Sequence, residues 1–175
     1  MAEFDFTLGA DPEFLCVDGR SIVMAEDFTD LESEIGRDGN RVLFEVRPEP
    51  STDPLVIVGN IHDIFARWIQ AHKEFQKFQW RAGSHYADMC MGGHIHFGIK
   101  PAKIPTAECA LVLDNYVGSL SLLIENRNQG LRRRQDGHNY GRMGDTRPQK
   151  WGFEYRTPSL FTLELMTRPC FNSED

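Results

Sequence analysis

Hydrophobic and polar positions change period several times along the chain. "EFLCVDGRSIVMA" holds two β-favouring runs around Asp18-Gly19, a hairpin signal. "DGNRVLFEVRPEP" opens on the turn dipeptide Asp38-Gly39. Its run of Val, Leu and Phe, closed by Pro48, predicts a strand at about 41–47. The period then becomes helical. Thr52 or Asp53 can cap a helix, Pro54 suits its first position, and Ile57, Ile61, Ile64, Phe65, Trp68 and Phe75 form one stripe. This predicts a long helix ending near Trp80–Gly83. Residues 85–99 read as strand interrupted by Gly92-Gly93. A second helix is predicted over Thr106–Glu125, with Leu111, Leu113, Tyr116, Val117, Leu120 and Leu123 as its apolar set. Residues 126–150 are polar and rich in Arg and Gly, which predicts a long loop, functional or disordered. "WGFEYRTP" predicts a last strand. With no repeat, low-complexity segment or linker, this order predicts a single α+β domain over 1–175. Its helices pack on one face of a mainly antiparallel sheet.

Composition changes that picture little. Hydrophobic residues make up 41 % of the chain and charged residues 26 %, ordinary for a globular domain. The net charge of −7 argues against specific nucleic-acid binding, although "RNQGLRRRQDGHNYGR" is locally basic. No apolar run approaches the roughly 18 residues of a membrane span, so no membrane contact is expected. "MAEFDFTLGADPEF" lacks the basic and apolar regions of a signal peptide. Cys16, Cys90, Cys109 and Cys170 are scattered and read as reduced thiols, so a cytoplasmic location is expected.

The candidate chemistry lies in the strands. Ionisable residues two apart share one face of a strand. "GADPEF" offers Asp11 and Glu13, and "FEVRPEP" offers Glu45 and Arg47, with Glu49 beyond Pro48. "GGHIHFG" offers His94 and His96, and "GFEYRTP" offers Glu154 and Arg156. Pro12, Val46, Ile95 and Tyr155 between them would face packing against helices. Each stretch alone fits a strand face in water. Together they hold carboxylates, histidines and arginines, the set that binds divalent metals and phosphates. Carboxylates without a thiolate suit Mg²⁺ or Mn²⁺ better than structural zinc. Arg132, Arg133, Arg134, Arg142 and Arg147 in the loop, with Arg156, add forks that clamp phosphate or carboxylate; Arg132–Arg134 fit a solvated patch equally well. Gly141 and Gly144 would let backbone approach a ligand, or simply serve turns.

"LGADPEF", "FEVRPEPS", "GGHIHFG", "YGRMGDTR" and "GFEYRTPS", in that order, resemble the carboxylate–amine ligases of the glutamine-synthetase fold, in particular the phage-encoded COOH–NH2 ligases. The resemblance spans about Leu8 to Leu160. It implies a curved antiparallel sheet that holds Mg²⁺ or Mn²⁺ between ATP and a carboxylate substrate. ATP would phosphorylate the carboxylate, and an amine substrate would displace phosphate from the acyl phosphate. By the same resemblance, Asp11, Glu13, Glu45, Glu49, His94 and Glu154 are metal ligands. His96, Arg134, Arg142 and Arg156 contact the nucleotide, and Arg142, Arg147 and Arg156 serve the reaction itself. Asp11 stands where many relatives carry glutamate. The chain stops soon after "GFEYRTPSLF", where relatives continue with helical sequence, which implies a compact or shortened version. Two alternatives use the same residues: a metal-dependent hydrolase, and a binding relative without activity. The acid, the amine and the oligomeric state are left open.

Overall fold

The computed structural model describes residues 6–37, 39–99, 106–135 and 140–160. It is an α+β structure whose strands pair antiparallel throughout. The expectations on the segment after Leu160 and on Asp38 and Cys170 lie outside the described residues. Cys16, Cys90 and Cys109 are free thiols, as expected.

The chain enters through β1 (Phe6–Ala10) and β2 (Glu13–Asp18), separated by Asp11-Pro12. β3 (Ser21–Ile22) returns on β2 across a two-residue turn, where Gly19 has φ +61°. That is the predicted hairpin, and the left-handed position is the one glycine takes without strain. β4 (Ile35–Arg37) and β5 (Phe44–Val46) follow. They give one sheet in the order β3-β2-β5-β4, shorter at β5 than the predicted strand.

Helix α1 (Pro54–Ala71) starts as expected: Asp53 accepts the Leu55 amide and Pro54 takes the first turn. It ends nine residues before Trp80 rather than beside it. His72 caps it by donating to the Trp68 carbonyl, and a 3₁₀ turn at Lys73–Lys77 follows. Phe75 is fully buried, as its spacing implied, but in that turn rather than in the helix. Trp80 lies in β6 (Gln79–Arg81), which pairs with β2. The core between α1 and this sheet is aromatic: Phe14, Phe44, Phe65, Trp68, Phe75 and Trp80 meet mostly edge to face at centroid separations of 4.6–6.5 Å.

β7 (His85–Tyr86) and β8 (Met89–Cys90) form a small hairpin before β9 (Ile95–Ile99). Helices α2 (Thr106–Leu113) and α3 (Ser119–Ile124) are joined without a break by a π turn at Asp114–Gly118. Their apolar set does not face the core as expected. Leu111, Tyr116, Leu120 and Leu123 are exposed, while Ala110, Gly118 and Ser121 face inward. The reason is close approach: a side chain at Gly118 would strike the Tyr155 hydroxyl, and Asp114 accepts that hydroxyl's proton at 2.7 Å. This helical stretch, Thr106–Ile124, runs 19 residues at a mean hydropathy of 1.3, with 17 % of it buried. By length and composition it reaches spanning size, which corrects the expectation that no apolar run does.

The expected loop at 126–150 contains two elements. α4 (Arg127–Arg134) is capped by Asn126, whose side chain accepts the amides of Asn128 and Gln129. β10 (Thr146–Gln149) pairs with β11 (Gly152–Tyr155). The second sheet runs β1-β9-β11-β10. Helix α1 packs against β1 of this sheet as well as β4 and β5 of the first, and α2 packs against β10 and β11. The chain crosses from one sheet to the other at Asp11-Pro12, and the amide of Val46 donates to the Pro12 carbonyl at 3.0 Å.

Candidate active site

Strand register builds the site. Directly opposite residues of paired strands share a face, and Gly9, His96, Glu154 and Arg147 stand opposite one another across β1, β9, β11 and β10. In the other sheet Glu13 stands opposite Glu45. Asp11, at the crossing, belongs to neither ladder and lies between the two rows.

Four of the anticipated residues converge. One ligand atom from each of Asp11, His94, His96 and Glu154 lies within 4.8 Å of the others. Asp11 sits 2.8 Å from His94 Nδ1 through Oδ1 and 3.1 Å from His96 Nε2 through Oδ2. Yet Asp11 Oδ1, His94 Nδ1 and His96 Nε2 are buried without an aligned hydrogen bond. Buried polar atoms normally have aligned partners; these three meet one another at ion-pair distance without that alignment, a donor set a cation could satisfy. Oxygen and nitrogen ligands at roughly 2.0–2.6 Å from one cation lie up to about 4–5 Å apart, so the cluster is of the size a divalent metal needs. Burial alone would raise the Asp11 pKa, but the two imidazoles outweigh it and bring it to about 2. His94 moves the other way: burial opposes its charge, and Asp11 and Glu13 raise its pKa above the usual value.

The surrounding groups are held firmly. Glu154 is 3 % exposed; it accepts from Arg147 Nε at 2.7 Å and from Gln149. Glu13 is also buried and accepts the Gly92 amide at 2.5 Å. Tyr140 touches His94 Nε2 with its hydroxyl and lies 3.5 Å from Glu13 Oε1. Burial and the Glu13 charge push its pKa far up, so it is a neutral phenol. Its ring lies between the guanidinium groups of Arg133, at 4.5 Å, and Arg156, at 4.8 Å.

Two cavities meet at the cluster. The larger, about 620 Å³, is lined among others by Leu8, Gly98, His96, Arg47, Trp151 and Glu154. The smaller, about 250 Å³ and more polar, is lined among others by Glu13, Asn40, His94, Tyr140 and Arg156. Asp11, Glu45 and Arg147 line both.

Of the remaining anticipated residues, Glu45 is half-buried and lies 3.0 Å from Arg47. Glu49 is exposed, and it lines neither cavity. Arg134 donates to the Gly141 carbonyl at 2.8 Å and to Glu125 at 2.5 Å, away from both cavities. Arg142 is exposed beside the Arg134 carbonyl, also outside them. Arg133 is fully buried and structural, not part of a solvated patch. Gly92 and Gly93 serve packing: a side chain at Gly92 would strike His94 and Tyr140, and one at Gly93 the Ser159 backbone. Gly141 and Gly144 take φ of +69° and +74° in turns. Sequence reasoning did not find Tyr140, Gln149 or Trp151, whose partners are remote or lie on a strand read as loop.

The family model of the phage phiEco32-like COOH.NH2 ligases, type 2, matches residues 8–170. The chain belongs to this family. Comparison with curated proteins gives no match. The family's name describes ligases that join a carboxyl to an amine. The matched span contains every residue of the cluster and of both cavity linings, save Thr7 at the rim of the larger one.

Proposed function

We propose that the protein is an ATP- and divalent-metal-dependent carboxylate–amine ligase working through an acyl phosphate, on a glutamine-synthetase-like arrangement of strands. One observation carries this reading: in a chain of this ligase family, Asp11, His94, His96 and Glu154 form one cluster where two cavities meet. Asp11, His94, His96 and Glu154 would hold Mg²⁺ or Mn²⁺, and two imidazoles beside two carboxylates favour Mn²⁺ over Mg²⁺. The bound cation would neutralise phosphate charge and template the two substrates.

The chain's own groups supply the rest. The larger cavity is within the size range of small-molecule sites, and Trp151 and Leu8 in its lining offer apolar surface for a nucleotide. Arg147 and Arg156 border the smaller cavity, where they would meet phosphate and the acid. The acid's oxygen attacks the γ-phosphorus and ADP leaves; the amine then attacks the acyl carbon, phosphate leaves, and the nitrogen loses a proton. Such chemistry needs positioning and charge neutralisation more than a protein nucleophile. Glu13 and Glu45 lie beside the cluster and complete its acidic wall.

The test combines protein, ATP, Mn²⁺ or Mg²⁺, and pools of acids and amines. ADP should form only when acid and metal are both present, with an amide as product. Ester or amide cleavage without nucleotide consumption would replace the ligase with a hydrolase.

A further inference from the structure

We propose that Tyr140 is a positioning residue for His94: its hydroxyl accepts a hydrogen bond from His94 Nε2–H and donates its own proton to Glu13. That arrangement leaves the Nδ1 lone pair of His94 facing Asp11, His96 and Glu154. The inference rests on the metal-centre reading above.

With a cation on the Nδ1 lone pair, the proton count fixes the rest. An ionised carboxylate only accepts hydrogen bonds, and a phenol has one proton to give. A metal-bound neutral imidazole carries its proton on Nε2, so the phenol oxygen accepts it and the Tyr140 hydroxyl proton goes to Glu13 Oε1, 3.5 Å away. Nδ1 is the buried, unaligned nitrogen of the cluster. Metal-bound histidines are commonly oriented in this way by a partner on the other ring nitrogen.

The protein holds this arrangement in place on three sides. The Tyr140 and His94 rings meet at 84°. Arg133 and Arg156 lie against the Tyr140 ring. The Glu13 carboxylate is fixed by the Gly92 amide, at a residue that has no room for a side chain beside His94 and Tyr140.

The test uses Tyr140→Phe, which keeps the ring and both cation contacts. Mn²⁺ affinity is measured by electron paramagnetic resonance without nucleotide. The His94 tautomer is read from ¹⁵N-histidine NMR of the Zn²⁺-loaded protein. Wild-type protein should show Nδ1 bound and Nε2 protonated. The variant should bind Mn²⁺ about tenfold or more weakly and show a mixed His94 state. Equal affinity with an unchanged tautomer in the variant would overturn the inference and leave the metal centre standing. If wild-type protein binds neither ion, the metal centre and the inference fall together. Should Tyr140→Phe fail to fold, the wild-type spectrum decides alone: Nε2 as the metal-bound nitrogen refutes the role of Tyr140.

Discussion

Replacing Arg133 probes how the chain beyond β11 is held. Its guanidinium is completely buried. Nη1 donates to the Thr157 carbonyl at 2.9 Å, and Nη2 donates to those of Arg156, at 3.1 Å, and Pro158, at 2.9 Å. One side chain therefore fixes the three residues that follow Glu154 and Tyr155, and its flat face seats Tyr140. Replacing it with Met takes the donor from the Arg156 and Thr157 carbonyls, at about 1–3 kcal/mol each, while the Pro158 carbonyl keeps the Gly93 amide at 3.3 Å. Relief from burying a charge offsets part of that. Arg133→Met should lose about 2–4 kcal/mol of unfolding free energy, a large share of a domain's typical total. Arg133→Lys should lose about half as much, because an ammonium cannot reproduce a planar fork. Urea unfolding followed by Trp68 and Trp80 fluorescence measures this. At a slope of about 2 kcal/mol per molar urea, the midpoint falls by about 1–2 M for Arg133→Met. A midpoint within about 0.3 M of wild type, with loss of ADP formation, would refute the structural role and restore Arg133 as a ligand contact.

Two further outcomes follow from the same geometry. Gly92→Ala puts a methyl group against His94 and Tyr140; it should weaken Mn²⁺ binding about tenfold and cost about 1–3 kcal/mol of stability. Unchanged Mn²⁺ titration in a folded variant would show that the pair has room to move. In metal-stripped protein, Asp11 ionises at about 2 instead of 3.8, so its contribution of about 2 kcal/mol is present above pH 3.8 and lost as pH falls towards 2. His94 is raised above 6.5, so its contribution is complete below pH 6.5 and lost as pH rises through its folded value. Stability in chelator should therefore peak between pH 3.8 and 6.5, and Asp11→Asn should flatten both limbs. A wild-type curve already flat from pH 3 to 9 would defeat this account.

The legible part of the site was the part written in strand periodicity. His94, His96 and Glu154 announced a shared chemistry because ionisable residues two apart interrupt runs of Val, Ile, Phe and Tyr. Asp53 and Pro54 announced the start of α1 in the same local way. What stayed hidden depended on partners far along the chain. α4 was obscured by Gly130 and by three consecutive arginines, although Asn126 was a usable cap signal. β10 was obscured by Pro148, which the ladder tolerates because β10 is the outermost strand of its sheet. Tyr140 meets His94 across 46 positions, and no local pattern reports such a contact. The outward apolar face of α2 and α3 inverted the usual rule because Tyr155 and Asp114 demand small residues on the inner side.

Register explains why so simple a signal was enough. Gly9, His96, Glu154 and Arg147 come from four strands, and pairing alone lines them up. A slip of one residue between β9 and β11 would turn Glu154 to the opposite face and Tyr155 into the site. Packing forbids that slip: Tyr155 is fully buried with its hydroxyl on Asp114, and Phe153 stacks on Phe97 at 5.1 Å. The apolar residues between the ionisable ones therefore do more than fill a core. They lock the register that delivers His96 and Glu154 to Asp11, so the fold and the site are specified by the same alternation.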